Sequence, residues 1–256
     1  MKILKKSKSL KTKMNQKWLD NAGINHFWMA WRFNFLMNLI KSKKIKLNKK
    51  SKIMDLGCGN GILSNQLESK MKIKIDRVDS NFETLKLNKN VNGRLICYNI
   101  SEKNKKYKNF YDIIFLFDVI EHVKNDNKFL SDALFHLKKN GILIINVPSL
   151  QVLYSKYDYA VGHLRRYDKK LFKKLVKKIS FKSISMDYWG FCLLPLLLLR
   201  KMILIFYGKH SHNKIVKSGW ETNNFINFFM KNIMRIELRL LKNQLLGSSL
   251  MVILTK

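Results

Sequence analysis

The chain predicts an α/β fold with a mostly parallel sheet, and three observations carry that prediction. Apolar runs of strand length alternate with polar, lysine-rich segments of helical potential. A glycine-rich turn, "DLGCGNG" at residues 55–61, stands between the first such run and an amphipathic helical stretch. At 256 residues, 46% of them hydrophobic and only 2 proline, the chain is long enough to bury one good-sized core and carry a smaller appendage.

Residues 1–50 read as a basic tail followed by N-terminal helices. Lys2, Lys5, Lys6, Lys8, Lys11, Lys13 and Lys17 have no continuous apolar stretch behind them, so the expectation is a frayed tail rather than a secretory leader. Between Trp18 and Ile40, Phe27, Trp31, Phe35 and Leu39 recur at helical spacing, predicting one or two amphipathic helices before the lysine-rich linker 41–52. Ile53, Met54 and Leu56 then form a short buried strand, the glycines a tight turn, and Ile62, Leu63 and Leu67 the apolar stripe of the next helix. Further strands are expected at Ile73–Asp79, Arg94–Asn99, Tyr111–Val119 and Gly141–Val147, a helix at Lys169–Lys178, and a strand at Ser183–Tyr188. The chain closes on an apolar run, Ser248–Thr255. The core is therefore 51–190 together with 247–256. Residues 191–246, far longer than an ordinary connection, read as an inserted lid with its own task.

Lys and Arg number 50 against 17 Asp and Glu, a formal net charge of +33, which favours a polyanionic partner such as RNA or an acidic membrane surface. Compositional bias is the competing explanation, because the excess is mostly lysine in a chain also rich in Asn and Ile. Cys58, Cys97 and Cys192 are far apart and lie in or beside apolar stretches. That spacing indicates neither a disulfide framework nor a metal cluster, and predicts a reducing, cytoplasmic setting.

The turn itself narrows the ligand. A dinucleotide fingerprint needs Gly or Ala where Ile62 stands, and no G-K-[ST] follows to make a phosphate-binding P-loop. What remains is Asp55-x-Gly57-x-Gly59-x-Gly61, with Asp79 at the end of the next strand, where a ribose-hydroxyl acceptor belongs. Three bare-backbone positions permit a close approach that any Cβ would block. An adenosine carrying an amino acid fits better than a pyrophosphate. For Asp79, "DSNFE" leaves a simple helix-cap role open.

Over residues 50–190 and 247–256 the sequence resembles the class I S-adenosylmethionine-dependent methyltransferases, through "DLGCGNG" (55–61), "VDSN" (78–81), "YDIIFLFDVIEHV" (111–123) and "LKKNGILIINVP" (137–148). "FDVIEHV" is similar to the small-molecule branch that includes ubiquinone-type O-methyltransferases. "HFWMAWR" (26–32) and "GHLRRY" (162–167) resemble a bacterial subgroup associated with envelope lipid or glycan metabolism. The resemblance implies a Rossmann-like, seven-stranded sheet whose last strand inserts antiparallel, and S-adenosyl-L-methionine as cofactor. It assigns Asp55, Gly57, Gly59 and Gly61 to the methionine part, Asp79 to the ribose, Asn99 and Ile100 to the adenine edge, and Asp118 to the methionine end. Cys58 and Ser80, which adjoin these residues, fall in the same set. Asn99 departs from the Asp common among relatives: its carbonyl accepts, but its amide adds a donor.

On the acceptor side, His122 is the base expected to take a hydroxyl proton, and His163, Arg165, Arg166 and Tyr167 are expected to bind the acceptor. Two adjacent guanidinium groups suit a phosphate or carboxylate, although a solvated charge pair would look the same in sequence. No metal ligands are assigned. The expected acceptor is a small molecule or lipid, with O-methylation as the reaction. An RNA methyltransferase is the alternative raised by charge, against which the chain shows neither an N-P-P-[YF] tetrad nor a paired catalytic cysteine. A silent adaptor of the same fold is the third reading, and it has no need of the intact glycines and Asp79.

The stretch "YWGFCLLPLLLLRKMILIFY" (188–207) is long enough to span a bilayer. Arg200 and Lys201 near its middle cost roughly 2.5–3.5 kcal/mol each, against gains of about 0.3–0.6 for each apolar residue. The strands on either side must also share one sheet. A lid lying over the active site or in an anionic membrane interface is therefore expected, with Lys209, Lys214 and Lys217 available to headgroups.

Overall fold

The computed structural model describes residues 2–10, 23, 25–206, 215, 223–241 and 243–256. Eight strands form one sheet: β1 (Ile3–Lys5), β2 (Ile53–Leu56), β3 (Ile75–Asp79), β4 (Leu95–Cys97), β5 (Tyr111–Phe117), β6 (Leu137–Pro148), β7 (Ser183–Trp189) and β8 (Ser249–Thr255). Their spatial order is β1-β4-β3-β2-β5-β6-β8-β7. All pairings are parallel except those of β8, which runs antiparallel between β6 and β7. Every residue of β2 is buried, as a parallel strand covered on both faces requires. β3 lies on one side of β2 and β5 on the other, so the strand order reverses there, and ligands gather outside the carboxyl ends of strands at such a point.

The eighth strand corrects the expected count of seven and the expected frayed tail. Ile3–Lys5 pairs in parallel with Leu95–Cys97 and covers the outer edge of β4. Ile3 and Leu4 face packed apolar residues, while the flanking lysines keep the new edge wet and poorly suited to pairing with another chain. Beyond this strand the tail is held as well: Leu10 N donates to Ser80 O (2.9 Å) and Asn99 N to Ser7 Oγ (2.8 Å). Lys11, Lys13, Lys17 and Trp18 lie outside the described residues.

Eight described helices surround the sheet: α1 (Phe27–Ser42), α2 (Ile62–Met71), α3 (Phe82–Lys86), α4 (Asp126–His136), α5 (Lys156–Val161), α6 (Lys169–Val176), α7 (Leu194–Ile205) and α8 (Asn224–Leu240). α1 buries Trp31, Leu36 and Leu39, and its aromatic residues close on Trp189 at the end of β7. Trp31 meets Trp189 edge-on at 5.2 Å between ring centroids, and Phe35 stacks at 5.8 Å. Arg77, fully buried in β3, ties that strand to α2 through Glu68 (2.7 Å) and Asn65 (2.8 Å). A buried guanidinium is tolerable only when paired in this way.

The stretch 188–207 is not one segment. It divides at Gly190, whose φ of 85° breaks the strand and whose missing Cβ makes room for Ser248 Oγ. A short turn, Phe191–Leu193, leads into α7. The 12 residues of α7 rise roughly 18 Å, short of the ~30 Å hydrocarbon core. No helix among the described residues is long and apolar enough to cross a membrane. α8 returns to clamp α1, with Phe27 N donating to Asn227 Oδ1 (2.7 Å). Lys209, Lys214 and Lys217 lie outside the described residues.

Candidate active site

The loop after β2 is built from positive-φ backbone: Gly57 at 72°, Gly59 at 56° and Gly61 at 78°. A Cβ on Gly57 would come within 2.5 Å of Val119 Cγ2, and one on Gly61 within 2.1 Å of Asn88 Oδ1. Asn88 in turn donates to Gly59 O (2.8 Å) and accepts from Arg77 Nη1 (3.2 Å), so the buried arginine holds the glycine loop from behind. Asp55 is buried at the end of β2 and accepts from Ser64 Oγ (2.7 Å). Burial outweighs that hydrogen bond and pushes its carboxyl up to about 6. Asp79 accepts from Gly59 N (3.2 Å) and Asn81 N (2.8 Å); burial raises its pKa, and these backbone donors partly oppose the rise. Cys58 is buried and its thiol pushed well up by burial, which leaves it inert packing. Asn99 turns its Oδ1 to Ser101 N (3.1 Å), capping the next turn, with Ile100 buried beside it.

A second space begins where this loop ends. Gly57 rests against Val119, and the preceding residue, Asp118, lines a cavity of about 460 Å³. Asp118 adopts φ 55°. Both of its oxygens are engaged, one by Arg32 from α1 and the other by Asn146 Nδ2 (2.7 Å) from β6. Asn146 is itself fixed by Trp189 Nε1 (2.9 Å). His122 lines the same cavity with Nδ1–H donating to Gly162 O (3.0 Å), which leaves the lone pair on Nε2. Burial, assisted by the neighbouring His163, lowers its pKa to about 4, so the ring is neutral at physiological pH.

His163 donates to Asp158 Oδ1 (2.8 Å) and packs edge-on to His122, with ring centroids 4.9 Å apart. Burial pushes Asp158 up, but His163 and Arg166 outweigh it and hold the carboxyl at about 2. Glu121 is fully buried, neither of its oxygens has a hydrogen-bond partner among the described residues, and burial with the Asp118 charge raises its pKa well above the carboxylate range. Glu121, His122 and His163 each offer one ligand atom, all within 4.8 Å of one another, a donor cluster small enough for a cation. The sequence had suggested no such set, because His163 reaches the other two only through the fold.

Four residues were expected at the acceptor, and the fold divides them. His163 and Arg166 line the cavity. Arg166 is already committed, through Nε to Asp158 (2.8 Å) and Nη1 to Ser149 O (3.2 Å). Arg165 turns away to Asp126 (2.5 Å) and Lys124 O, and Tyr167 is buried with its hydroxyl on Asp126 (2.9 Å). Much of the remaining wall is apolar and comes from α1, α5 and the insertion, among it Trp28, Tyr157, Leu197, Ile203 and Met230.

A sequence profile described as a methyltransferase domain matches residues 28–185, more than half of the chain. The chain belongs to this methyltransferase family. Among its curated relatives, the ubiquinone biosynthesis O-methyltransferase of Rickettsia canadensis is 31% identical over 140 residues, covering 52% of this chain and 59% of that protein. Its counterpart from Pelagibacter ubique is 29% identical over 161 residues, covering 59% and 66%. The chain thus spans little more than half the length of the first relatives it matches.

Solved structures share the fold. Haemonchus contortus phosphoethanolamine N-methyltransferase 2, in complex with phosphomonomethylethanolamine and S-adenosylhomocysteine, aligns with a TM-score of 0.58 at 18% identity, over 94% of this chain and 60% of that one. An S-adenosylmethionine-dependent methyltransferase from Archaeoglobus fulgidus aligns at 0.52 and 17% identity, over 90% and 99%. The cofactor of this family is S-adenosyl-L-methionine, and the corner fits it. Three positive-φ glycines give a loop of bare backbone at the end of β2, and Asp79, at the end of the neighbouring strand, is hydrogen-bonded to it through Gly59 N.

Proposed function

We propose that the chain transfers a methyl group from S-adenosyl-L-methionine to a hydroxyl of an apolar, lipid-like small molecule drawn from an anionic membrane surface. One observation carries this reading: the cavity that begins at Asp118, one residue from the Val119 against which Gly57 packs, is lined largely by apolar side chains, many of them from the helices of the insertion. S-adenosyl-L-methionine, when bound, supplies a methyl carbon already activated on a sulfonium. Asp55, Gly57, Gly59, Gly61, Asp79 and Ser80 would hold it, with Asn99 and Ile100 at its adenine edge. The chain's remaining task is to place the acceptor oxygen and remove its proton. His122 suits the second part, because Nδ1 is fixed by Gly162 and Nε2 is free to accept that proton. Asp118, braced by Arg32 and Asn146, positions the boundary between the two ligands.

The membrane half of the reading rests on surface chemistry. Phe206 is 89% exposed, Phe225 75%, Phe228 65% and Leu245 88%, all in or beside the insertion's helices. Apolar exposure on this scale marks an interaction surface. Those helices also carry Lys201, Lys231, Arg235 and Arg239, while Glu237, the one acid on them, is buried. Apolar anchors within a basic field suit an anionic interface. The RNA reading raised by charge draws no support from relatives that act in ubiquinone biosynthesis.

Labelled cofactor incubated with a lipid extract should yield a methylated lipid, identified by mass spectrometry, whose formation stops in His122→Ala. Flotation with phosphatidylglycerol vesicles should capture the protein at low salt and release it as salt rises. Methylation without vesicle binding would remove the membrane half alone. Cofactor binding without transfer to any lipid would remove the acceptor class.

A further inference from the structure

The arginines around the acceptor cavity are not equivalent. Arg165 is paired with Asp126 and Arg166 with Asp158. Arg200, placed by α7 on the cavity wall, has no carboxylate or hydrogen-bond partner among the described residues, and its Nε is buried. Its guanidinium carbon lies 4.1 Å above the Tyr157 ring centroid. Such stacking holds the plane of the fork but makes no hydrogen bond through the N–H edge.

Of the acids around the cavity, Asp158 and Asp118 are spent, and Glu121, which has no hydrogen-bond partner among the described residues, is disfavoured as an anion by burial and the Asp118 charge. Asp158 accepts from His163 Nδ1, Arg166 Nε and Ser155 N. Asp118 is held by Arg32 and Asn146. Arg200 therefore stands on the cavity wall with no carboxylate partner among the described residues, beside the apolar side chains of Leu196, Leu199 and Ile203. A cation in such surroundings is stable only with a partner or water, and a planar fork selects a planar or tetrahedral oxyanion.

We infer that Arg200 receives the oxyanion, carboxylate or phosphate, of the methyl acceptor, so that the acceptor is an anionic amphiphile and not a neutral lipid. The inference rests on the methyltransferase reading above. It moves recognition of an anion from the Arg165–Arg166 pair, where the sequence pointed, to Arg200, which pairs with no carboxylate among the described residues.

Trp28 lines the same cavity and gives a fluorescence readout in the full-length chain. The probes are decanoate, decyl phosphate and decyl glucoside at neutral pH, each below its micellar concentration. The wild type should bind both anionic probes at least tenfold more tightly than the glucoside. Arg200→Gln should erase that preference, and Arg200→Lys, which keeps the charge, should retain part of it. A wild type without preference, or a Gln variant that keeps it, overturns the inference. Equal weakening for all three probes in both variants also overturns it, by showing that Arg200 only braces Tyr157.

Phosphatidylglycerol flotation of the same variants separates the possible sources of the anion. Loss of vesicle binding in Arg200→Gln with the soluble preference intact would assign Arg200 to a bilayer headgroup and overturn the acceptor role. Calorimetry with S-adenosyl-L-methionine keeps the two readings apart. A wild type that does not bind cofactor removes the methyltransferase reading. Cofactor binding without an Arg200-dependent preference removes only this inference.

Discussion

The glycine corner and the cavity wall meet at Asp118–Val119, where Val119 packs on Gly57 and Asp118 lines the cavity, but they are built in opposite ways. The corner is local: Asp55 to Gly61 is one uninterrupted turn, and Asp79 meets it across a single strand pairing. The wall is assembled from far apart in the chain, with Asp118, Glu121 and His122 after β5, His163 after α5 and Arg200 from the insertion, braced by Arg32 of α1 and Asp158 of α5. On the proposed reading, cofactor recognition falls to the contiguous part and its backbone geometry, and acceptor selection to side chains that only the tertiary fold brings together.

The comparison predicts its largest effect at Gly61. A valine there would meet Asn88 Oδ1 at 2.1 Å and Arg77 Nη1 at 2.7 Å, at a φ of 78° that a branched side chain adopts only with strain. Backbone and network must both move, so Gly61→Val should weaken S-adenosyl-L-methionine binding by about 3 kcal/mol or more by calorimetry. Amphiphile binding in the acceptor cavity should change far less. Equal losses on both sides would mean that the two regions form one unit. Asp79→Ala comes next. Losing a charged hydrogen-bond acceptor should cost about 1–3 kcal/mol of cofactor affinity, and unchanged affinity would return Asp79 to the simple helix-capping role that "DSNFE" allows.

How far each region could be read from sequence follows from the same contrast. The glycine loop, Asp79 and seven of the eight strands were legible because period and turn chemistry are local signals. β1 was not: three residues among lysines carry no periodicity, and what makes them a strand is the bare edge of β4. "LRRY" suggested two acceptor arginines, but Asp126 and Asp158, which decide what those arginines do, stand 39 and 8 residues away from their partners. Arg200 entered the sequence reading only as a cost against membrane insertion. Glu237 gave no signal at all, since its backbone donors, Gly190, Phe191 and Cys192, lie at the far end of the insertion.

Glu237 tests whether the wall depends on its own scaffold. Its buried carboxylate accepts from Gly190 N (2.9 Å), Cys192 N (2.7 Å) and Gln244 Nε2 (2.7 Å), pinning both ends of the insertion to α8. Glu237→Gln keeps one acceptor oxygen and should cost about 1 kcal/mol in urea unfolding. Weaker amphiphile binding with normal cofactor binding is expected. The reverse result would show that the insertion supports the corner instead of the wall.

The smallest expected effect lies in the pH dependence of His122. Its folded pKa of about 4 is below the ordinary 6.5, so between those values the unfolded chain binds a proton that the folded chain refuses. Stability from this group is present above pH 6.5 and is lost as pH falls toward 4. Asp55 works in the opposite direction: raised from 3.8 to about 6, it contributes stability at low pH that is lost as pH rises through 6. The two slopes oppose each other over nearly the same window, so unfolding curves alone would hide both. Imidazole NMR resolves them, with His122 assigned by the signal that disappears in His122→Asn. That signal should stay in its neutral position from pH 8 to about 5 and move only near 4, and methyl transfer should stay flat over the same upper range. A titration near 6.5 would show that water reaches the imidazole, in which case the acceptor wall is as open as a surface and His122 has lost the burial that keeps it a free base.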